Sequence, residues 1–194
     1  MNLVDRAIFL LGITRTHGIA RRYFVVNGFD GALTMLGIIL GFFISEPASL
    51  DVIVSACLGA AIALGVSGLS SAYISESAER RHALAQLEEA MLADLQDSHH
   101  GDAARWVPLL IAFVNGAAPL LISLLIITPL MLADAGMTLP LNPLHAAILV
   151  ALILIFLLGV FLARIAGISW LHSGIRTLVV ALLTAALIYL FAGS

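Results

Sequence analysis

The sequence predicts an all-α, polytopic membrane protein of five transmembrane helices, the second of which continues into the cytoplasm. Three observations carry that prediction. Hydrophobic residues make up 61% of the 194 residues and charged residues only 11%, with a mean hydropathy of +1.10, values that belong to integral membrane proteins. Five stretches, near 24–45, 50–75, 106–133, 144–163 and 168–192, reach the length of about 20 residues that a helix needs to cross a bilayer. These runs are continuous and lack period-2 alternation, which excludes a transmembrane barrel.

The arginines set the expected orientation. All nine basic residues are arginine: Arg6, Arg15, Arg21, Arg22, Arg80, Arg81, Arg105, Arg164 and Arg176. With five spans, eight of them fall before the first span or in the second-to-third and fourth-to-fifth connections. Arg176 lies near the inner end of the fifth span, where a long side chain snorkels to the same surface. The opposite side carries Glu46, Asp51 and Asp134 and no basic residue. The positive-inside rule then places the N-terminus in the cytoplasm and the C-terminus outside, in a multi-pass protein of the cell membrane.

Residues 1–23 are expected to form a cytoplasmic or interfacial segment. The apolar run Ala7-Ile8-Phe9-Leu10-Leu11-Gly12-Ile13 after Arg6 imitates a signal peptide, but Thr14-Arg15-Thr16-His17 follows it without a small-residue cleavage site. A short surface helix is the expectation there. The first span opens with Asn27-Gly28-Phe29-Asp30-Gly31, and no further charge appears until Glu46. A carboxylate within a span costs roughly 2.5–3.5 kcal/mol on insertion scales, so Asp30 is expected to face a cavity, a partner or an ion path; a solvated helix end at the membrane surface is the competing reading. Gly28, Gly31, Gly37 and Gly41 give the same span a small-residue spacing suited to close helix contact, expected at a homodimer interface.

The second span is rich in small residues, including Gly59, Gly65, Gly68, Ser67, Ser70 and Ser71. Packing is the default for these serines, although the last three lie at about the depth of Asp30. Cys57, the single cysteine, is expected to pack, and it excludes an intrachain disulfide and any multi-cysteine metal site.

Residues 76–105 depart from the apolar pattern and read as an acidic cytoplasmic helical segment. They hold seven of the twelve acidic residues, three arginines and three histidines. Good helix formers dominate up to Gln96, so the second helix is expected to run that far. At about 100° per residue, Leu84, Leu87, Met91 and Leu95 form an apolar stripe. Glu79, His82, Glu89 and Asp97 fall on the opposite half, with Glu76 and Asp94 at its border. Glu76 with Glu79, and Asp94 with Asp97, are i,i+3 pairs of like charge, which destabilise a helix unless neutralised. A divalent cation neutralises them, and mixed carboxylate and imidazole ligands suit Fe²⁺, Mn²⁺, Co²⁺ or Zn²⁺. An ordinary solvated face is the competing reading.

Residues 106–194 supply the last three spans. The third contains Asn115-Gly116-Ala117-Ala118-Pro119, with Pro129 further on. An intramembrane proline frees a carbonyl that either coordinates a cation or marks a packing kink. His145 and His172 lie at span ends, where packing is the default. Nucleophile elbows, His-Glu-x-x-His, P-loops and paired cysteines are absent, as is any basic stripe for nucleic acid. The expectation is a protein that is not an enzyme, with no required cofactor and no nucleic-acid partner.

These motifs resemble the vacuolar iron transporter family. The resemblance rests on Asn27-Gly28-Phe29-Asp30-Gly31, on Ser71-Ala72-Tyr73-Ile74-Ser75-Glu76 running into an acidic helix, on Gly116–Pro119, and on Ser173-Gly174-Ile175-Arg176-Thr177-Leu178. It implies a five-helix homodimer with an ion path at the interface, exporting Fe²⁺ or Mn²⁺ from the cytosol in exchange for protons. In such proteins the acidic helix gathers metal and the first-span aspartate binds it within the membrane. The implied metal-binding set is Asp30, Glu76, Glu79, His82, Glu89, Asp94 and Asp97. Two positions depart from the family pattern: Ser71-Ala72-Tyr73 replaces Gly-Glu-Tyr, and Gly68 stands where methionine is expected. A non-transporting membrane protein that senses or buffers metal is the alternative.

Overall fold

A computed structural model describes residues 17–45 and 48–192. The expected surface helix near Ala7–Ile13 and the outer-side Glu46 lie outside the described residues. Among those described, the chain is all helical: α1 His17–Ile44, α2 Leu50–Met91, α3 His99–Asp134, α4 Pro143–Ala166 and α5 Trp170–Ala192. All five are long and apolar enough to cross a bilayer, which marks a membrane-embedded protein. At about 1.5 Å per residue, the 42 residues of α2 rise about 63 Å, roughly twice the hydrocarbon thickness. The expected continuation of α2 beyond its span is therefore present.

That continuation stops at Met91, five residues short of Gln96. Leu92 takes a positive φ of 50°. The amide of Ala93 then bonds the Glu88 carbonyl at 3.3 Å, and that of Leu92 bonds the Glu89 carbonyl at 3.4 Å. This is the 6→1 and 5→2 pattern that closes a helix around a left-handed residue. Glycine usually fills that place, which is why composition gave no stop signal here. Leu92→Gly is expected to raise stability by about 0.5–1 kcal/mol, because it removes the left-handed strain of a branched side chain. Thermal unfolding in detergent measures it.

Two compact units make up the chain. Of the described residues, the first joins 17–24 with Gly65–Ala117. Its core is Ala72 of α2 with Ala103, Val107, Ile111 and Ala112 of α3, against which Ile19 and Tyr23 of α1 pack. Here α2 and α3 meet backbone to backbone. A Cβ on Gly68 would stand 2.9 Å from the Asn115 carbonyl oxygen, and one on Gly116 would stand 2.6 Å from that of Gly65. The Asn115 amide Nδ2, buried at this crossing, donates to the Gly68 carbonyl at 2.6 Å. Small residues admit the approach, and the amide bond fixes it.

The second unit comprises Val25–Leu64 and Ala118–Ser194. Met35, Leu36 and Ile39 of α1, Ile53 and Cys57 of α2, Ile126, Ile127 and Leu130 of α3, and Ala147, Ala151 and Ile155 of α4 form its core. Cys57 packs there, as expected. Asn142 caps α4 by accepting the Leu144 amide at 3.0 Å, with Pro143 at the first helical turn. Gly167, at a φ of 67°, ends it. The short connection between the fourth and fifth spans therefore resolves to 167–169. Gly159 of α4 faces Ser173 and Thr177 of α5, and the Thr177 hydroxyl donates to the Ile155 carbonyl at 3.1 Å. His145 packs edge-on against Phe43, with ring centroids 5.1 Å apart.

Candidate functional site

Asp30 lies in the second unit, on α1. Its neighbour Gly31 is buried, and a Cβ there would stand 2.8 Å from both the Cα and the carbonyl oxygen of Pro119. Backbone on both sides leaves nothing flexible to yield, so α1 touches α3 directly at this level. Gly28 continues the same face, where an added Cβ would meet Leu158 at 3.3 Å. With about 100° between successive residues, burying Gly31 turns Asp30 outward. Asp30 is exposed on the chain's surface, in a helix otherwise apolar enough to span a membrane.

That packing corrects one expectation. Gly28 and Gly31 are spent inside the chain, so they do not offer a small-residue surface to a second copy. Gly37 meets only the Ile188 side chain, at 3.6 Å, and Gly41 has nothing within 4 Å.

Glu76 belongs to the first unit and is buried. Its Oε2 lies 3.7 Å from the Arg80 Nε one turn on, and its Oε1 accepts a long bond of 3.4 Å from the Tyr23 hydroxyl. Glutamate preceding arginine at i,i+4 is the favourable order on a helix. The Glu76 carboxylate therefore has an internal cation beside it, one helical turn away.

The rest of the acidic face is dispersed. Glu79, His82 and Glu89 are exposed, and His82 Nε2 sits 3.1 Å from the Gln86 amide nitrogen. Asp94 and Asp97 are exposed residues of the turn after α2, so helical spacing does not pair them. Asp94 instead accepts the Gln96 amide at 2.9 Å. Among the described residues, no three His, Cys, Asp or Glu side chains come together as a metal site. The serines of α2 bond their own helix: Ser70 donates to the Val66 carbonyl at 2.8 Å and Ser71 to the Gly68 carbonyl at 3.3 Å.

Glu76→Gln is expected to lower stability by about 1–3 kcal/mol, since it removes a buried carboxylate from its contacts with Arg80 and Tyr23. A double-mutant cycle with Arg80→Gln should return a coupling above about 0.5 kcal/mol. Additive losses in thermal unfolding would show that the pair is only adjacent.

Sequence reasoning missed the role of Asn115, although its signal was present: an amide flanked by glycine, opposite a Gly-x-x-Gly stretch in the second span. It also missed that Arg81 and Arg105 line one cavity, because twenty-four positions separate them in sequence.

No family model matches the chain. No solved structure matches it either. Over 172 residues it is 30% identical to an uncharacterized protein, MJ0645, of Methanocaldococcus jannaschii, an alignment that takes in 87% of this chain and 86% of that one. Identity sustained across nearly the full length of both proteins places the chain in the family of MJ0645.

Proposed function

We propose that this protein is a proton-coupled transporter that moves Fe²⁺ or Mn²⁺ out of the cytosol, as in the vacuolar iron transporter family that its motifs resemble. The observation that carries the reading is the placement of Asp30. A carboxylate exposed on an apolar helix costs roughly 2.5–3.5 kcal/mol if lipid covers it, and here the Gly31–Pro119 backbone contact prevents the helix from rotating it away. Such a group is retained where water, a cation or a second subunit meets it. A homodimer that covers this face of α1 provides the enclosed path, with Asp30 holding metal and proton by turns.

Ala72, which stands where the family's second-span glutamate is found, is buried with Ala103 and Val107. Asp30 therefore supplies the membrane-level charge without that partner. The exposed Glu79, His82, Glu89, Asp94 and Asp97 raise the local cation concentration near the cytoplasmic mouth rather than forming a closed site.

Expression in bacteria grown with excess Mn²⁺ or Fe²⁺ tests the reading. Cell-associated metal, measured by elemental analysis, should fall relative to cells that carry an empty vector. A rise would favour buffering over export.

A further inference from the structure

Within the first unit, α2 from Tyr73 onward and the opening turns of α3 line a cavity of about 510 Å³ that is open to one side, with Arg81 and Arg105 exposed at its rim. Its wall includes Tyr73, Ser77, Arg81, Glu88, Gln96 and Arg105. Two guanidiniums from two helices thus face one space, and among the described residues neither has an ion pair or hydrogen bond. Glu88, the one acid in the wall, already accepts the Leu95 amide at 3.0 Å through Oε1. Gly101, also in the wall, lets the start of α3 lie directly against the Gln96 carbonyl, where any Cβ would collide.

The donor set selects the ligand. Arginine presents a planar fork that matches phosphate in bidentate fashion, and the Tyr73 and Ser77 hydroxyls add donors of the same kind. The amides at the start of α3 are not the anchor, since Ser98 Oγ already accepts from His100 at 3.1 Å. Location adds a second argument. Trp106, next to Arg105, is 45% exposed and Tyr73 41%, at the level where the apolar helices give way to polar sequence. Amphipathic aromatics occupy the bilayer surface, and basic pockets between helices at that level take phospholipid headgroups.

We infer that this cavity is a binding site for a phosphate group, supplied by an anionic phospholipid headgroup or by soluble phosphate. It is separate from Asp30 and does not depend on the transport reading.

The full-length purified protein is titrated with phosphatidylglycerol, phosphatidylcholine and inorganic phosphate, followed by native mass spectrometry for the lipids and calorimetry for phosphate. Phosphatidylglycerol should bind in preference to phosphatidylcholine if the source is lipid. Saturable binding of inorganic phosphate alone would identify the soluble source. In either case R81Q/R105Q should weaken binding on the order of thirtyfold, the effect of two basic side chains at an anionic headgroup. R81K/R105K, which keeps charge but loses the fork, should fall between the two and controls for folding. E88Q should tighten binding, because it removes the one negative charge in the wall. R164Q/R176Q, which neutralises two exposed arginines elsewhere, should leave it unchanged. Unaltered binding in R81Q/R105Q, an equal loss in R164Q/R176Q, or weaker binding in E88Q would overturn the proposal, as would no binding of any probe.

Discussion

Asp30→Asn is expected to leave a folded protein that has lost the proposed coupling of metal movement to protons. The amide keeps the size and shape of the carboxylate, and the residue is exposed, so its melting temperature should stay close to that of the parent. What disappears is the charge that attracts a cation and the oxygen that takes up a proton. Asn offers a divalent ion one neutral carbonyl oxygen in place of a carboxylate and cannot be protonated near neutral pH. With Ala72 buried in apolar surroundings, no second-span carboxylate substitutes for it. Metal-dependent proton flux in proteoliposomes should therefore fall to the protein-free background, whereas Asp30→Glu, which keeps both functions on a longer arm, should retain part of it. Full flux in Asp30→Asn would remove Asp30 from the mechanism.

Gly31→Ala and Gly59→Ala are expected to have opposite effects. Both glycines lie inside helices, where alanine is intrinsically better by about 0.5–1 kcal/mol. At Gly59 nothing lies within 4 Å of the added methyl, so that gain should appear as a higher melting temperature. At Gly31 the methyl would sit 2.8 Å from the Pro119 Cα and carbonyl oxygen. The two backbones must then separate, and such overpacking costs about 1–3 kcal/mol. The displacement also moves Asp30, so Gly31→Ala should lose transport as well as stability. A Gly31→Ala protein that melts with or above the parent would show that α1 and α3 are not in backbone contact there.

The helices themselves were legible because continuous apolar runs of this length have few other solutions. All five starts lie within about seven residues of the sequence-based bounds, three of them within about two, and the second helix is longer than a bilayer crossing needs, as its composition implied. What failed was spacing logic applied past a hidden stop. Leu92 ends α2 in a conformation usually reserved for glycine, and the Asp94–Asp97 pairing went with it. Glu76, expected among the metal-binding residues, is buried beside Tyr23 and Arg80, partners the helical spacing did not reveal. Tyr23 lies fifty-three positions away, and no periodicity links residues across that distance. The glycine spacing of the first span was also read in the wrong setting: Gly28 and Gly31 contact α4 and α3 of the same chain. A stripe of small residues announces close packing but not whose helix supplies the other side.

Exchange of a divalent ion for protons is tested by simultaneous recording of Mn²⁺ movement and internal pH in proteoliposomes of the parent protein, with a proton ionophore added partway. Metal and protons should move in opposite directions, and collapsing the proton gradient should stop net metal accumulation. Mn²⁺ that binds the protein but never crosses, with no change in internal pH, would contradict it.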